Sequence, residues 1–525
     1  MRLTTVTRMS LPDGVVHRFA TDVTQAHGED RSPSFDQARH ASLGPRPGSW
    51  MAVAFTLPFP ADRDEVARAW LAVVARHGTL RTVLTGGGHD RDDHEGRTDR
   101  VDRDDRDDRV DRVDRDDRDD RDDDDDDELR LRPVTVQPLG WRTPPAEPGE
   151  DPRAVLRRVF DEACCPFARP AHALCLVEPL DERERPVVVI GLDHGHVDAW
   201  SLLVLMRDFC SCLDDLACGL EPGTCLPPAT AFATHTAELA ARPPAPDEVH
   251  RRWAAILARG GGEMPVFPLD LGDISTPREE VVEVRDVLDP AGVAALEEAA
   301  AAGGVRMISL AIAEMTAVLR RRAGVGLRAV LPVHSRHDVR TARWNDSVGW
   351  FITNSVIECD DPDPAACAVA VREAVDLGSH ALGPILAPYG GMPHTPGMFA
   401  ISWLDHRRLP VDVDLSLTPQ HVSAAIRTDG VMVWFVVSGS GLHVRCRYPG
   451  TDAARGSVGG WLDELCAGLV RRADPAAGRR ANPAAGRTGP GEQVETDHEQ
   501  VSGAARRTPV PGRPAATPRR ATARA

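Results

Sequence analysis

The run VVVIGLDHGHVDAWS (187–201) gathers more potential chemistry than any other stretch of the chain. An apolar segment leads into His194, and Asp198 follows four residues later. An imidazole near its ordinary pKa of ~6.5 can take a proton from an attacking hydroxyl or amine at neutral pH. An aspartate at this distance can hold a neighbouring piece of backbone, or an arginine, in place. A second reading of the same residues stays open: HxxxD spacing arises often by chance, and a single histidine is commonly structural.

A catalytic histidine needs a rigid scaffold, and ends of strands that run into helices provide one. PVVVIGLDHG and HALCLVEPL read as two apolar strands. SLLVLMRDFCSCLDDLACGL (201–220) reads as a strongly apolar helix with Ser201 as its N-cap. Upstream, SWMAVAFTLP (49–58) and LRLRPVTVQPL (129–139) read as strands. Residues 62–77 and 151–167 read as helices; Val66, Trp70, Val73 and Val74 share a face of the first, and Asp151-Pro152 opens the second. After a Pro-rich stretch near 241–248 a second unit begins. It has a strand at 280–288, helices at 290–302 and 308–322, and the strands GLRAVLPVHSR and SVGWFITNSVIE. A helix at about 364–380 follows, then GMFAISWLD, VDVDLSLT, VMVWFVVS and GLHVRCRYP as strands, and a closing helix at 459–473. Both halves mix helices with a sheet, which predicts an α+β fold of two similar lobes, at 32–245 and 246–473. A chain of 525 residues is too long for one ordinary core, in keeping with two.

Three zones lack the apolar content to offset the entropy of ordering them: 1–31, the insert 88–127, and the tail 474–525. The stretch 90–128 alone holds 23 acids against 10 arginines, so most of the formal charge of −18 is local. No basic face points to nucleic acid. Every basic side chain other than histidine is arginine, which excludes Schiff-base chemistry on a lysine. The 11 cysteines show no CxxC or disulfide grammar and read as small hydrophobes in a reducing cytosol. No apolar run reaches the ~18 residues of a membrane span and no signal peptide is evident. A cytoplasmic protein is expected.

Two resemblances bear on His194. His194-x-His196-x-Asp198 is similar to the HxHxDH run of metallo-β-lactamase-type zinc hydrolases. Ala199 stands where the final histidine would be, and downstream ligands are not evident, so no metal is expected. The other resemblance spans about 33–470. DHGHVDAWS resembles the HHxxxDG core of nonribosomal peptide condensation domains, in the HxxxD acyltransferase superfamily. PSFDQARH (33–40), RHGTLRT (76–82), LPVHSR (331–336), DSVGWFITNS (346–355) and GMFAISWLDHRRLP (397–410) resemble that family's other motifs, in its order. The nearest flavour is the stand-alone acyltransferases of the polyketide-associated type. The resemblance implies two chloramphenicol-acetyltransferase-like lobes in a V with a central tunnel. It implies His194 as catalytic base and Asp198 as structural acid held by Arg336. Ala199, in place of the usual Gly, offers a backbone N–H to the oxyanion, Asn354 matches a polar position near the tunnel, and Asp193 stands where many relatives have a first histidine. No cofactor is implied beyond an acyl thioester as co-substrate. The donor is coenzyme A or a carrier protein acting in trans, since no LGGxS-like carrier motif occurs in the chain. A small-molecule amine or alcohol is the acceptor. A catalytically silent carrier-binding relative is the alternative.

Overall fold

The computed structural model describes residues 2–25, 28–87, 128–336 and 342–474. The Asp/Arg-rich insert and nearly all of the tail therefore lie outside the described residues. The first half of the chain runs β1 (Arg2–Thr5), β2 (Gly14–Gln25), α1 (Phe35–Ala41), β3 (Trp50–Thr56), α2 (Arg63–Arg76), β4 (Thr82–Thr85), β5 (Arg130–Arg142), α3 (Pro152–Ala163), β6 (His172–Pro179), β7 (Val187–Asp193), α4 (Ala199–Ala217), α5 (Phe232–Ala240) and α6 (Asp247–Arg259). The second half runs β8 (Arg278–Leu288), α7 (Pro290–Ala302), α8 (Met307–Ala323), β9 (Leu327–His334), β10 (Ile352–Cys359), α9 (Pro364–Leu377), α10 (Leu382–Leu386), β11 (Phe399–Asp405), β12 (Gln420–Ser423), β13 (Arg427–Thr428), β14 (Val431–Ser438), β15 (Gly441–Pro449) and α11 (Asp452–Ala473).

Two mixed sheets result. The first has the order β1-β12-β3-β7-β6-β2-β5-β4 and the second β10-β9-β11-β14-β15-β8-β13. Strand alternation decides what each face of the first sheet carries. Val53 and Phe55 of β3 and Val188, Ile190 and Leu192 of β7 pack with α2 and α4. Trp50, Ala52, Ala54, Val187 and Val189 point the other way, onto Leu156, Val159 and Phe160 of α3. Strand β7 is thus covered on both sides and buried along its whole length, which is why it reads as an unbroken aliphatic run. Gly191 is the one gap in that run. A Cβ there would stand 2.6 Å from the Phe160 ring, so only glycine lets α3 close on the strand that carries the site. The second sheet is covered by α7, α8 and α11 on one face and by α6 and α10 on the other.

Several boundaries differ from expectation. Two strands lie within the stretch 1–31, expected to be without structure: β2 lies between β6 and β5, and β1 pairs in parallel with β12. Their weak local signal is rescued by partners more than 100 residues away. Helix α4 begins at Ala199 and is capped by Asp198, whose carboxylate accepts from the Ser201 N–H at 2.7 Å; Ser201 is the third residue of the helix. GMFAISWLD is β11, inside the second sheet. The chain crosses to the first sheet only afterwards, with Leu409, Val411, Val413 and Leu417 packing in the α2/α4 core and β12 joining β3. A division at 245/246 is therefore bridged by a strand of the second half. VDVDLSLT forms a short 3-10 turn at Leu415–Leu417 in place of a strand.

Candidate active site at the end of β7

After Asp193 the chain makes a tight turn, His194–His196, before α4 starts. Both aspartates of the motif act as caps. Asp193 accepts from the Gly195 N–H at 2.9 Å, and Asp198 caps α4. The His194 N–H donates to the Ser49 carbonyl of the neighbouring strand at 2.8 Å. Helix α1 locks the turn from outside, through Gln37 Nε2 donating to the Gly195 carbonyl at 2.8 Å and His40 Nε2 donating to Asp193 at 2.9 Å. Arg46 donates to His40 Nδ1 at 2.8 Å; since a guanidinium cannot accept, the His40 proton must sit on Nε2, facing Asp193. Burial opposes the Asp193 carboxylate, but the hydrogen bonds from His40 and from the Gly195 N–H outweigh it and hold its pKa below the usual range. His196 turns away, with Nδ1 3.1 Å from the Thr79 carbonyl, and so anchors the turn to the RHGTLRT segment. In that segment His77 and Arg76 both bind Asp208 of α4, at 2.9 and 2.8 Å.

His194 is half-buried. Its ring packs against Trp350 at 4.6 Å between centroids and stands 6.3 Å from His40. Its Nδ1 has no hydrogen-bond partner. Burial draws its pKa down to about 4 against the opposing pull of Asp193 and Asp198. The imidazole is therefore in its base form at neutral pH.

Asp198 does not serve His194 as a partner. Its oxygens are taken by the Ser201 N–H, by the Phe351 N–H at 3.1 Å, and by Arg336 Nη2 at 3.2 Å. Arg336 is held in turn by the carbonyls of Trp344 (2.6 Å) and Ser347 (2.9 Å) and by Ser201 Oγ (2.7 Å), with its guanidinium 3.9 Å over the Phe351 ring. This buried network joins the start of α4 to the segment leading into β10. Ala199 contributes the first residue of α4. Asn354 lies on β10; with Thr353 it favours the charged form of Asp36 on α1, whose carboxyl burial pushes up to about 6.

Two cavities reach this point, one at His194 and one at Trp350. One, of about 880 Å³, is lined by His194, His40, Trp50 and several arginines. The other, of about 960 Å³, is lined by Trp350, Asp36, Phe35, Phe232, Ile352 and Leu382. The His194–Trp350 contact stands between them. Sequence reading brought out His194, Asp198 and Arg336 but passed over His40, Asp36 and Trp350, although all three lie within quoted motifs. Among the described residues no three His, Cys, Asp or Glu side chains gather with metal-ligand spacing.

No family model matches the chain. Over 302 residues it is 25% identical to the acyltransferase PapA3 of Mycobacterium tuberculosis, a match covering 54% of this chain and 63% of PapA3. The match thus spans less than two thirds of that relative. Among solved structures, the PapA2 acyl transferase superposes with a TM-score of 0.71 at 19% identity, covering 90% of this chain and 100% of PapA2. The first condensation domain of the calcium-dependent antibiotic synthetase, in complex with a substrate analogue, gives 0.59 at 14% identity, covering 86% of this chain and 98% of that domain. This chain has the condensation-domain-like fold. The two-lobed α+β architecture expected from sequence is therefore the one found. The same condensation-domain-like fold includes the X-domain from teicoplanin biosynthesis, at TM-score 0.60 and 17% identity over 86% of this chain and 97% of the X-domain. Among the described residues no single helix is long and apolar enough to cross a membrane.

Proposed function

We propose that the chain is an acyltransferase that moves an acyl group from a thioester, carried by coenzyme A or by a carrier protein in trans, to an amine or hydroxyl acceptor in specialised lipid or metabolite biosynthesis. The observation that carries this reading is the position of His194: half-buried, in its base form, lining one large cavity and in ring contact with Trp350, which lines a second. Binding both substrates there supplies proximity and excludes water. His194 takes the proton of the acceptor as its nitrogen or oxygen attacks the thioester carbonyl. The Ala199 N–H, opening α4, is the proposed donor to the developing oxyanion. The tetrahedral intermediate collapses, the C–S bond breaks, and the thiolate takes the proton from His194. No covalent enzyme intermediate forms. Asp198 and Arg336 are positioning residues that set the turn and the start of α4. The match to PapA3 supports the reaction class.

The test is thiol release from acyl-coenzyme A and from an acylated carrier protein, with amine and hydroxyl acceptors present. His194→Ala should lower turnover by roughly 10²–10⁴-fold with melting unchanged, while His196→Ala spares the chemistry. Full thiol release by His194→Ala would remove this reading. A second reading is a catalytically silent chain of this fold that binds a carrier protein; a neighbour in fold, the X-domain from teicoplanin biosynthesis, has been solved in complex with OxyB. No dependence of transfer on His194, Asp198 or Arg336 would favour it.

A further inference from the structure

The cavity that holds His194 is lined by five arginines and only two carboxylates, Asp161 and Glu279. Three of the arginines are accounted for. Arg46 binds His40 and two carbonyls, Arg157 lies 3.5 Å from Asp161, and Arg427 lies 2.8 Å from Glu279. The remaining two, Arg445 and Arg447, sit two apart on β15 and so share a face of the sheet. Arg447 is 8% exposed; it stands 2.6 Å from Glu280 and gives Nη2 to Ser423 Oγ and the Ala424 carbonyl, both at 3.3 Å. Arg445 is 1% exposed. Its Nη2 donates to Ser423 Oγ at 2.9 Å, its guanidinium rests 4.5 Å over the Trp434 ring, and its Nε has no hydrogen-bond partner. Among the described residues it forms no ion pair closer than 4 Å; the Glu280 carboxylate that Arg447 holds acts on it as well, against burial and the charge of Arg447.

This arrangement is costly without a ligand. An arginine cannot shed its proton to escape burial in the way a lysine does. Here two buried guanidiniums share one carboxylate, Glu280, and an under-compensated buried cation destabilises the fold. Burial, with Arg447 repelling it, draws the Arg445 pKa down to about 9. Two guanidinium forks side by side, steadied by Trp434, match the geometry of an oxyanion, which can accept from both. The two cavities also differ in chemistry. The one beyond Trp350 has Phe35, Phe232, Ile352 and Leu382 on its wall beside Asp36, Arg31 and Arg242, two arginines against the five of the His194 cavity; the His194 cavity therefore suits the more strongly anionic molecule.

We infer that Arg445 and Arg447 form a binding site for an anionic group, a sulfate, phosphate or carboxylate, carried by the acceptor whose nucleophile meets His194. The assignment to the acceptor rests on the acyl-transfer reading; the anion site itself does not. Free inorganic sulfate and phosphate are the probes, titrated calorimetrically into the full chain in chloride buffer of matched ionic strength, so that general salt stabilisation does not enter. The wild type should bind sulfate, and Arg445→Gln should weaken that binding at least about tenfold while melting in chloride at or above the wild-type temperature, since it relieves an under-compensated charge. Arg445→Lys, which keeps the charge but loses the fork, should also weaken binding, and provides the comparison should the glutamine variant fold poorly. No sulfate or phosphate binding by the wild type, or equal binding by wild type and both variants, overturns the site. Coenzyme A added to the sulfate-loaded protein separates the two sources of the anion. Sulfate that stays bound supports the acceptor assignment. Displacement by coenzyme A, lost when its 3′-phosphate is removed, gives the site to the donor and overturns that assignment. None of these titrations involves thioester chemistry, so their outcome is independent of whether acyl transfer is observed.

Discussion

Replacing Asp198 by alanine tests the central claim about how the site is built. The substitution removes three things at once. The cap of α4 is lost, typically worth ~1 kcal/mol. The Phe351 N–H loses its acceptor. Arg336, whose side chain is 1% exposed, loses its counter-charge, and breaking a buried pair in this way typically costs ~3–5 kcal/mol. These terms overlap and do not add. Arg336 also keeps its bonds to Trp344, Ser347 and Ser201 and its place over Phe351, which limits the damage. The expected loss is about 3–5 kcal/mol in all. At ~2.1 cal/mol/K per residue the unfolding entropy of a chain this size is near 1 kcal/mol/K, so the melting temperature should fall by about 3–5 °C. Activity should fall with it, because α4 begins at the turn that carries His194. The informative experiment is a double-mutant cycle by scanning calorimetry. Asp198→Ala, Arg336→Met and the double variant should show a coupling of about 2 kcal/mol, the double variant being less destabilised than the sum of the single ones. Additive losses, or an Asp198→Ala protein melting within about 1 °C of wild type, would refute the account of a buried, interdependent brace.

Other consequences can be checked alongside it. His172, His194, His235, His406 and His443 all have pKa values drawn down to about 4, with burial the main cause in each. Their folded pKa lies below the unfolded ~6.5, so the unfolded chain binds the extra protons; the stability these residues give is present above about pH 6.5 and is lost as pH falls toward 4, at up to ~1.4 kcal/mol per pH unit for each histidine. Melting temperature should therefore drop steeply between pH 6.5 and 4.5, and a flat profile would contradict the burial argument. His40→Ala should cost about 3–5 kcal/mol by leaving the fully buried Asp193 carboxylate with only the Gly195 N–H. Adding Asp193→Asn should recover part of that loss in a denaturant titration. Gly349→Ala places a Cβ 2.2 Å from Phe232, beside the Ser201 contact, and should cost about 1–3 kcal/mol in the same assay.

Legibility in the sequence followed the range of the interaction. Strand β7 stood out because burial on both faces makes it continuously apolar, and α4 because its start, Leu202–Met206, is an unbroken buried aliphatic run; both are local properties. The cap of α4 was less legible: Asp198 and Ser201 are both good caps. What selects Asp198 is that Ser201 Oγ is occupied by Arg336 and by the Gly349 backbone, which arrive from more than 100 residues away. The four-residue β12 and the N-terminal β1 have no periodicity long enough to read, and only the sheet edge they complete together explains them. The His40–Asp193 pair was invisible for the same reason. An aspartate in the first position of the motif looks like a defect until α1 brings a histidine to meet it.

The HxxxD spacing invites the picture of a histidine oriented by its aspartate, and the geometry gives that aspartate other work. Asp198 is saturated by Arg336 and two backbone N–H groups, and His194 Nδ1 faces no carboxylate. The ring is held by packing on Trp350 and by its own backbone, while Asp193 and His40 fix the turn beneath it. For the transfer proposed above this has a chemical consequence. An imidazole with a pKa near 4 is a weak base, but it is never removed from service by protonation at neutral pH. A proton it accepts during attack is held uphill, in a site where burial opposes the charge. The departing thiolate, with a pKa of ~8.5, is then strongly favoured to receive it. A pairing carboxylate would stabilise the imidazolium and slow that return. The separation of His194 from Asp198 therefore suits a reaction in which one imidazole takes a proton from the acceptor and passes it to the leaving group within a single bound complex.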